Sequence, residues 1–384
     1  MGIKYFDNAA TTPVTGIVYD AMKPYLTEHY CNPSTLYSEG IVAREAIEDA
    51  RLLIALNIGA KTNEIYFTSG GTESDNWAIR SAVRAFPEKK HIVTSKIEHH
   101  AVLRTLHDLE DNGYEITYVN VNKNGVVDIE EVEKSIRDDT CLVTIMTVNN
   151  EIGSIQPIER IGEICAEKNV LFHTDAVQAA GNIKIDVKKW KVDMLSVSGH
   201  KFNAPKGVGF LYVKETTPLY PFVFGGNQER KRRAGTENVP YIVGMATAFN
   251  NINNKFKSPI AEKYKRITYY NNRLRLALND IDGIVINSNP ECCVKNIVNF
   301  TVKGINSETL MLLLNKDDIC VASGSACTSG DLEPSHVLIA MGISQEDAYN
   351  SIRVSFSHLN TDGEVNYLIV KLKENIEMLR RIRR

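Results

Sequence analysis

Long apolar runs are missing from this 384-residue chain. The longest, such as 141–148, fall far short of the ~18 residues a membrane helix needs, so a membrane protein is excluded and no membrane partner is expected. A dominant charge is missing too. Forty-four Lys+Arg against 47 Asp+Glu leave a net charge of −3, which offers no global field for direct binding of nucleic acid. Cysteine is sparse, seven residues without a repeating spacing, so no disulfide framework is expected. The opening residues Met1–Asp7 show no secretory apolar core, and no internal repeat or low-complexity segment appears. These absences leave a soluble enzyme, cytoplasmic by expectation, with enough chain for two domains and an ample core.

Short β-branched or aromatic runs then stand out as buried strands at 64–68, 91–94, 116–121, 141–148, 170–174, 194–197 and 208–213. Helical periodicities lie between several of them, carried by Val42, Ala46, Ile47, Ala50, Leu53 and Ile54, by Ile79, Ala82, Val83 and Phe86, and by Ile158, Ile161, Ile164 and Cys165. Strand alternating with helix predicts an α/β fold with a doubly wound, mostly parallel sheet. After about Asn250 the pattern changes. A long helix over 260–278 precedes strands near 284–286, 297–302, 319–322 and 352–356, a helix over 307–314 and an amphipathic closing helix, which predicts a smaller α+β unit. The basic ending Arg380-Arg381-Ile382-Arg383-Arg384 reads as a solvated helix end suited to the macrodipole.

Three strand ends carry chemistry. Ser69-Gly70-Gly71-Thr72-Glu73-Ser74 follows the first strand and opens a helix, where free N–H groups make an anion site. Alone, the segment reads equally as a glycine turn with a threonine cap. Asp175, in His173-Thr174-Asp175-Ala176-Val177-Gln178, and Lys201, in Ser198-Gly199-His200-Lys201, lie at the ends of consecutive strands, where open α/β sheets bind ligands. A lysine hemmed in there is partly desolvated and its amine made nucleophilic. A lysine, an acid and an anion cradle are the parts pyridoxal 5'-phosphate requires. A metal site from His99, His173, Asp175 and His200 is the competing use; no metal-ligand spacing recurs, and His99-His100 on a strand would point apart. Metal: none is the expectation.

The ordered set Asp7-Asn8-Ala9-Ala10-Thr11-Thr12, Thr68 to Asn76, Glu98-His99-His100-Ala101-Val102, Val148-Asn149-Asn150-Glu151-Ile152-Gly153, Ser198-Gly199-His200-Lys201 and Gly324-Ser325-Ala326-Cys327-Thr328-Ser329 resembles the motifs of the cysteine desulfurases of the iron–sulfur-cluster-assembly type. These are pyridoxal-phosphate enzymes of the class V aminotransferase superfamily, and the likeness runs from Asp7 to about Ser355. It implies pyridoxal-phosphate fold type I: a mostly parallel seven-stranded sheet flanked by helices in a large cofactor-binding domain, 15–257. A small α+β domain, 1–14 with 258–384, would carry the mobile catalytic-cysteine loop. It further implies that Lys201 is the Schiff-base lysine, that Asp175 faces the pyridine nitrogen and that Gln178 bonds the ring hydroxyl. His99 would stack on the ring and assist proton transfer. Thr72, Ser198, His200 and the Gly71 backbone would hold the phosphate. Asn150 and Arg353 would clamp the substrate carboxylate, and Thr236 would reach the phosphate of a second subunit, making a homodimer.

Cys327 lies among small residues between glycines, as suits a thiol that travels; Cys141, Cys165 and Cys320 read as inert core thiols. Through the resemblance Cys327 would receive sulfur from L-cysteine as a persulfide, release L-alanine, and pass the sulfur to an iron–sulfur scaffold protein or another sulfur-acceptor protein. An aminotransferase, a selenocysteine lyase and a non-catalytic scaffold remain as alternatives. Cys31, Tyr37 and Asn227 depart from the residues common in the family.

Overall fold

The computed structural model describes residues 2–253, 260–323 and 333–383. A seven-stranded sheet runs in the order Ile65–Thr68, Gly209–Val213, Met194–Ser198, Leu171–Asp175, Thr140–Thr144, His91–Ser95, Glu115–Val119. Gly209–Val213 is antiparallel to both its neighbours and the other pairings are parallel. Adjacent strand residues serve opposite faces, as the pleat requires. Val93, Val143, Leu195 and Phe210 pack with Ile47, Ile54, Phe172 and Phe249 on one side. Ile92, Leu142, Met194 and Leu211 pack with Trp77, Ile79, Val102 and Leu106 on the other. Covered on both faces, these strands show the near-continuous apolar runs that betray them in the sequence.

A second, antiparallel sheet of Ala322–Ser323, Ser351–Ser355, Ile297–Val302 and Ile284–Ile286 has its own core. Val298, Phe300, Ile352 and Val354 meet Tyr270 and Leu274 from helix Ile260–Asn279, Leu310 and Leu314 from Ser307–Lys316, and Leu368, Leu372 and Ile376 from Asp362–Arg383. Phe6 belongs to this second core, so the first residues of the chain pack with its last third.

Two expected strands are corrected. The run 141–148 is a strand only over Thr140–Thr144. Beyond it the Met146 N–H turns to the buried Glu98 carboxylate, and the Thr147 N–H to the Asp175 carbonyl. The run 319–322 divides at Val321: Ile319–Cys320 pairs with Lys4–Tyr5 in parallel, whereas Ala322–Ser323 pairs with Ser351–Ser355. Helices Gly16–Thr27 and Val239–Asn253 were not among the expected elements, although Ile242, Met245, Ala246, Phe249 and Ile252 recur at helical spacing and are buried. They pack so closely that a Cβ on Gly244 would lie 2.6 Å from Met22.

Candidate active site

The carboxyl ends of the parallel strands open into one cavity of about 310 Å³. Lys201 enters it from the single turn that follows Met194–Ser198, and Asp175 ends the neighbouring strand, in register with Ser196. The Lys201 Nζ donates to the carbonyls of Ala9 and Ala10, 2.8 Å each. Burial, helped by the Arg353 charge, lowers its pKa to about 8. Asp175 is buried, accepts the Val177 N–H at 2.8 Å, and is pushed up to about 6 by desolvation.

The floor is the segment Asp7–Thr12. Its carbonyls hold Lys201, and the Ala9 carbonyl also receives the Gln178 amide at 2.8 Å. It is pinned on one side by Thr12, whose N–H and hydroxyl both donate to the His200 carbonyl. On the other side Asn8 donates to the Ser355 carbonyl and Ala9 N–H to the Ser355 hydroxyl. The motif thus stitches the second sheet to the cavity. The sequence marked this segment as a family signature without revealing its contacts.

Helix Gly71–Ala85 points its first turn at the cavity. Gly70 has φ of 152°, and a Cβ on Gly71 would lie 2.7 Å from Val177, so only glycines let the turn approach the Asp175 loop. Thr72 is not the cap expected of it. The cap position is Gly70, and the Thr72 hydroxyl has no hydrogen-bond partner among the described residues. The Ser198 hydroxyl likewise has none, and His200 uses Nδ1 on Thr11 at 3.1 Å, leaving Nε2. The result is a set of donors at a helix start with no protein acceptor.

His99 is not on a strand, which corrects the expectation that His99 and His100 point apart on one. It caps helix His100–Asp111, its Nδ1 accepting the Ala101 N–H at 3.1 Å. Its exposed area faces the cavity. Desolvation by the walls, with Lys201 beside it, lowers its pKa to about 4, so the ring is neutral with its proton on Nε2. Arg353, on Ser351–Ser355, donates to the Asn150 carbonyl at 2.9 Å and to Asp7 at 2.6 Å, and its buried Nε has no partner among the described residues. The Asn150 side chain faces the same cavity.

Gly71, Thr72, His99, Asn150, Asp175, Gln178, Ser198, His200, Lys201 and Arg353 therefore meet at one cavity. Thr236 does not line it; it is exposed. Cys327 and its loop lie outside the described residues. Asp75, Met146, Val148 and Val177 line the cavity without having been singled out; Asp75 sits one helical turn into the cradle helix, a position its sequence pattern does not mark. Among the described residues no group of three or more His, Cys, Asp or Glu is arranged to hold a metal. Both ring nitrogens of His173 are engaged, by Thr144 and Ser196.

A strand-end lysine opposite a strand-end aspartate, beneath an open helix start, marks the aminotransferase class of α/β enzymes. Residues 4–368 match the family Aminotransferase class-V, and the chain belongs to that family. Within it the chain falls among the cysteine desulfurases. It is 48% identical to "Cysteine desulfurase IscS" of Methanosarcina thermophila over 98% of this chain and 92% of that protein. It is 46% identical to "Putative cysteine desulfurase IscS 1" of Bacillus subtilis, over 94% and 95%. Among solved structures, a "NifS-like protein" superposes with a TM-score of 0.92 at 38% identity, covering 99% of this chain and all of that one. "SspA in complex with cysteine" does so at 0.82 and 37%, covering 93% and 99%. Enzymes of these families use pyridoxal phosphate, and the cavity fits it. The amine is desolvated, two buried acids line the cavity, and the hydroxyls of Thr72 and Ser198 have no hydrogen-bond partner among the described residues.

Proposed function

We propose that this enzyme uses pyridoxal 5'-phosphate to remove sulfur from L-cysteine, yielding L-alanine and a persulfide on Cys327. The observation that carries the reading is the Lys201 amine, brought to a pKa of about 8 across one cavity from Asp175. Lys201 would anchor the coenzyme, and Asp175 and Gln178 would hold its ring, Asp175 as the partner of the ring nitrogen and Gln178 of the ring hydroxyl. Gly71, Thr72, Ser198 and His200 would hold the phosphate, and His99 would cover the ring.

When bound, the coenzyme supplies an aldehyde for amines and a cationic ring that accepts an electron pair. The chain supplies the rest. Arg353 and Asn150 bind the cysteine carboxylate, which fixes the Cα–H bond toward Lys201. The neutral Lys201 Nζ takes the Cα proton. His99, neutral with an Nε2 proton, moves a proton at the substrate. The Cys327 thiolate attacks the cysteine sulfur; the S–S bond forms as C–S breaks, its electron pair going to carbon, which is protonated to alanine.

The division into a cofactor-binding body, 15–257, and a smaller unit, 1–14 with 258–384, belongs to the same proposal. So does a homodimer in which Thr236 reaches the other subunit's phosphate. Large apolar side chains left exposed at Ile17, Tyr19, Leu36, Tyr37, Leu56 and Phe224 support a second copy. The persulfide passes to an iron–sulfur scaffold protein or another sulfur-acceptor protein. A cytoplasmic site of action belongs to the same proposal; no helix among the described residues is long and apolar enough to cross a membrane. The test records the visible spectrum, adds L-cysteine, and assays alanine and labelled persulfide on Cys327. Cys327→Ser should keep the colour and lose the persulfide; alanine released by that variant at the parent rate would refute the transfer step.

A further inference from the structure

Two carboxyl groups, not one, face the coenzyme end of the cavity. Asp75, on the cradle helix, is 1% exposed and lines the cavity beside Asp175. Their surroundings differ. Asp175 accepts a backbone N–H at 2.8 Å and has Lys201 as a favourable charge. Among the described residues the Asp75 Oδ1 has no hydrogen-bond partner. Its nearest basic group, the His173 Nε2, is 3.6 Å away and already bonded to the Ser196 hydroxyl at 2.9 Å. His173 cannot serve as a cation, since burial lowers its pKa to about 3. Ser196 favours the Asp75 anion, but desolvation, then Asp175, then Glu98 oppose it, and its pKa is raised well above the ordinary range. Two neighbouring buried carboxyls do not both ionise.

Resting on the reading of this cavity as a pyridoxal-phosphate site, we propose that Asp75 is a positioning residue. It holds the one proton of a buried carboxyl pair, so that the pair's single negative charge stays on Asp175 beneath the ring nitrogen. The ring proton is then balanced by one charge rather than two. A second anion would hold that proton too firmly and make the ring a poorer acceptor of electrons.

The test compares the full chain with Asp75→Asn and Asp175→Asn, with and without added pyridoxal phosphate. An acid that stays protonated in the folded protein but ionises near pH 3.9 when unfolded costs stability as pH rises between those two values. Asparagine carries no such proton. The thermal midpoint of Asp75→Asn relative to the parent, without coenzyme, is therefore expected to climb by about 2 °C per pH unit above pH 5 and to go on climbing after Asp175→Asn has levelled off. For Asp175→Asn the climb stops near pH 6. The infrared C=O stretch of protonated carboxylic acids at pH 7 should weaken in Asp75→Asn and persist in Asp175→Asn. Pyridoxal-phosphate affinity should fall at least tenfold further in Asp175→Asn than in Asp75→Asn. A midpoint difference flat above pH 5, or an unchanged acid band in Asp75→Asn, would overturn the proposal. If Asp75→Asn does not fold, Asp75→Ser, equally without a proton to hold, gives the same readings. A parent chain that binds no pyridoxal phosphate refutes the coenzyme reading instead, and the two failures are distinguishable.

Discussion

The two ends of the seven-stranded sheet treat charge in opposite ways. At the amino ends of the strands, ionised groups are paired in the open. Arg137 bridges Glu115 and Asp139, and Lys61 holds Glu215. The Arg137 hydrogen bonds lower the carboxyls of Glu115 and Asp139, and the Glu215 bond raises Lys61, so each charged form is favoured. Around Lys201 at the carboxyl ends the shifts run the other way: burial lowers Lys201, His99 and His200 and raises Asp175 and Asp75. Solvated pairs keep a protein soluble and contribute little else. Groups drawn toward neutrality at working pH are the ones that trade protons and attack carbonyls.

That contrast can be broken residue by residue. Lys201→Ala should abolish coenzyme attachment and cut alanine formation by about a thousandfold or more, measured by the visible spectrum and product assay. Arg51→Met tests a pair that obeys neither end's rule. Arg51 and Glu229 are both buried and bonded twice, at 2.8 and 2.9 Å, and Glu229 also accepts the Phe67 N–H. Leaving that carboxylate alone should cost about 3–5 kcal/mol in chemical denaturation. Arg353→Ala should raise the KM for cysteine about ten- to a hundredfold, because a buried guanidinium to carboxylate bond is lost. With the Lys201 amine at about 8, coenzyme uptake by stopped flow should run about tenfold faster at pH 9 than at pH 7, as only the neutral amine attacks. Arg137→Ala at the far end should leave the thermal midpoint within about 1 °C.

Much of this was legible because strand ends have a grammar. Asp175 and Lys201 each follow a short buried run, and glycines at 70 and 71 announce a helix start. What stayed hidden depends on contacts between distant segments. Pairing with one sheet ends at Cys320 and pairing with another begins at Ala322, though 319–322 is one apolar run. His99 reads as part of a strand until its ring is seen capping a helix. Asp75 looks like a polar helix residue, and only the neighbouring strands make it a buried acid. Cys31, where the family often has glycine, adopts no left-handed backbone.

The strap at Asp7–Thr12 has one more consequence. Asn8 and the Ser355 it grips are 347 positions apart, and the same strap carries the oxygens that steady Lys201. A ribosome making this chain therefore releases one half of the joint 347 positions before the other. The lysine's nest closes only once Ser351–Ser355 has followed, so vitamin capture waits on a strand made long after the strap itself.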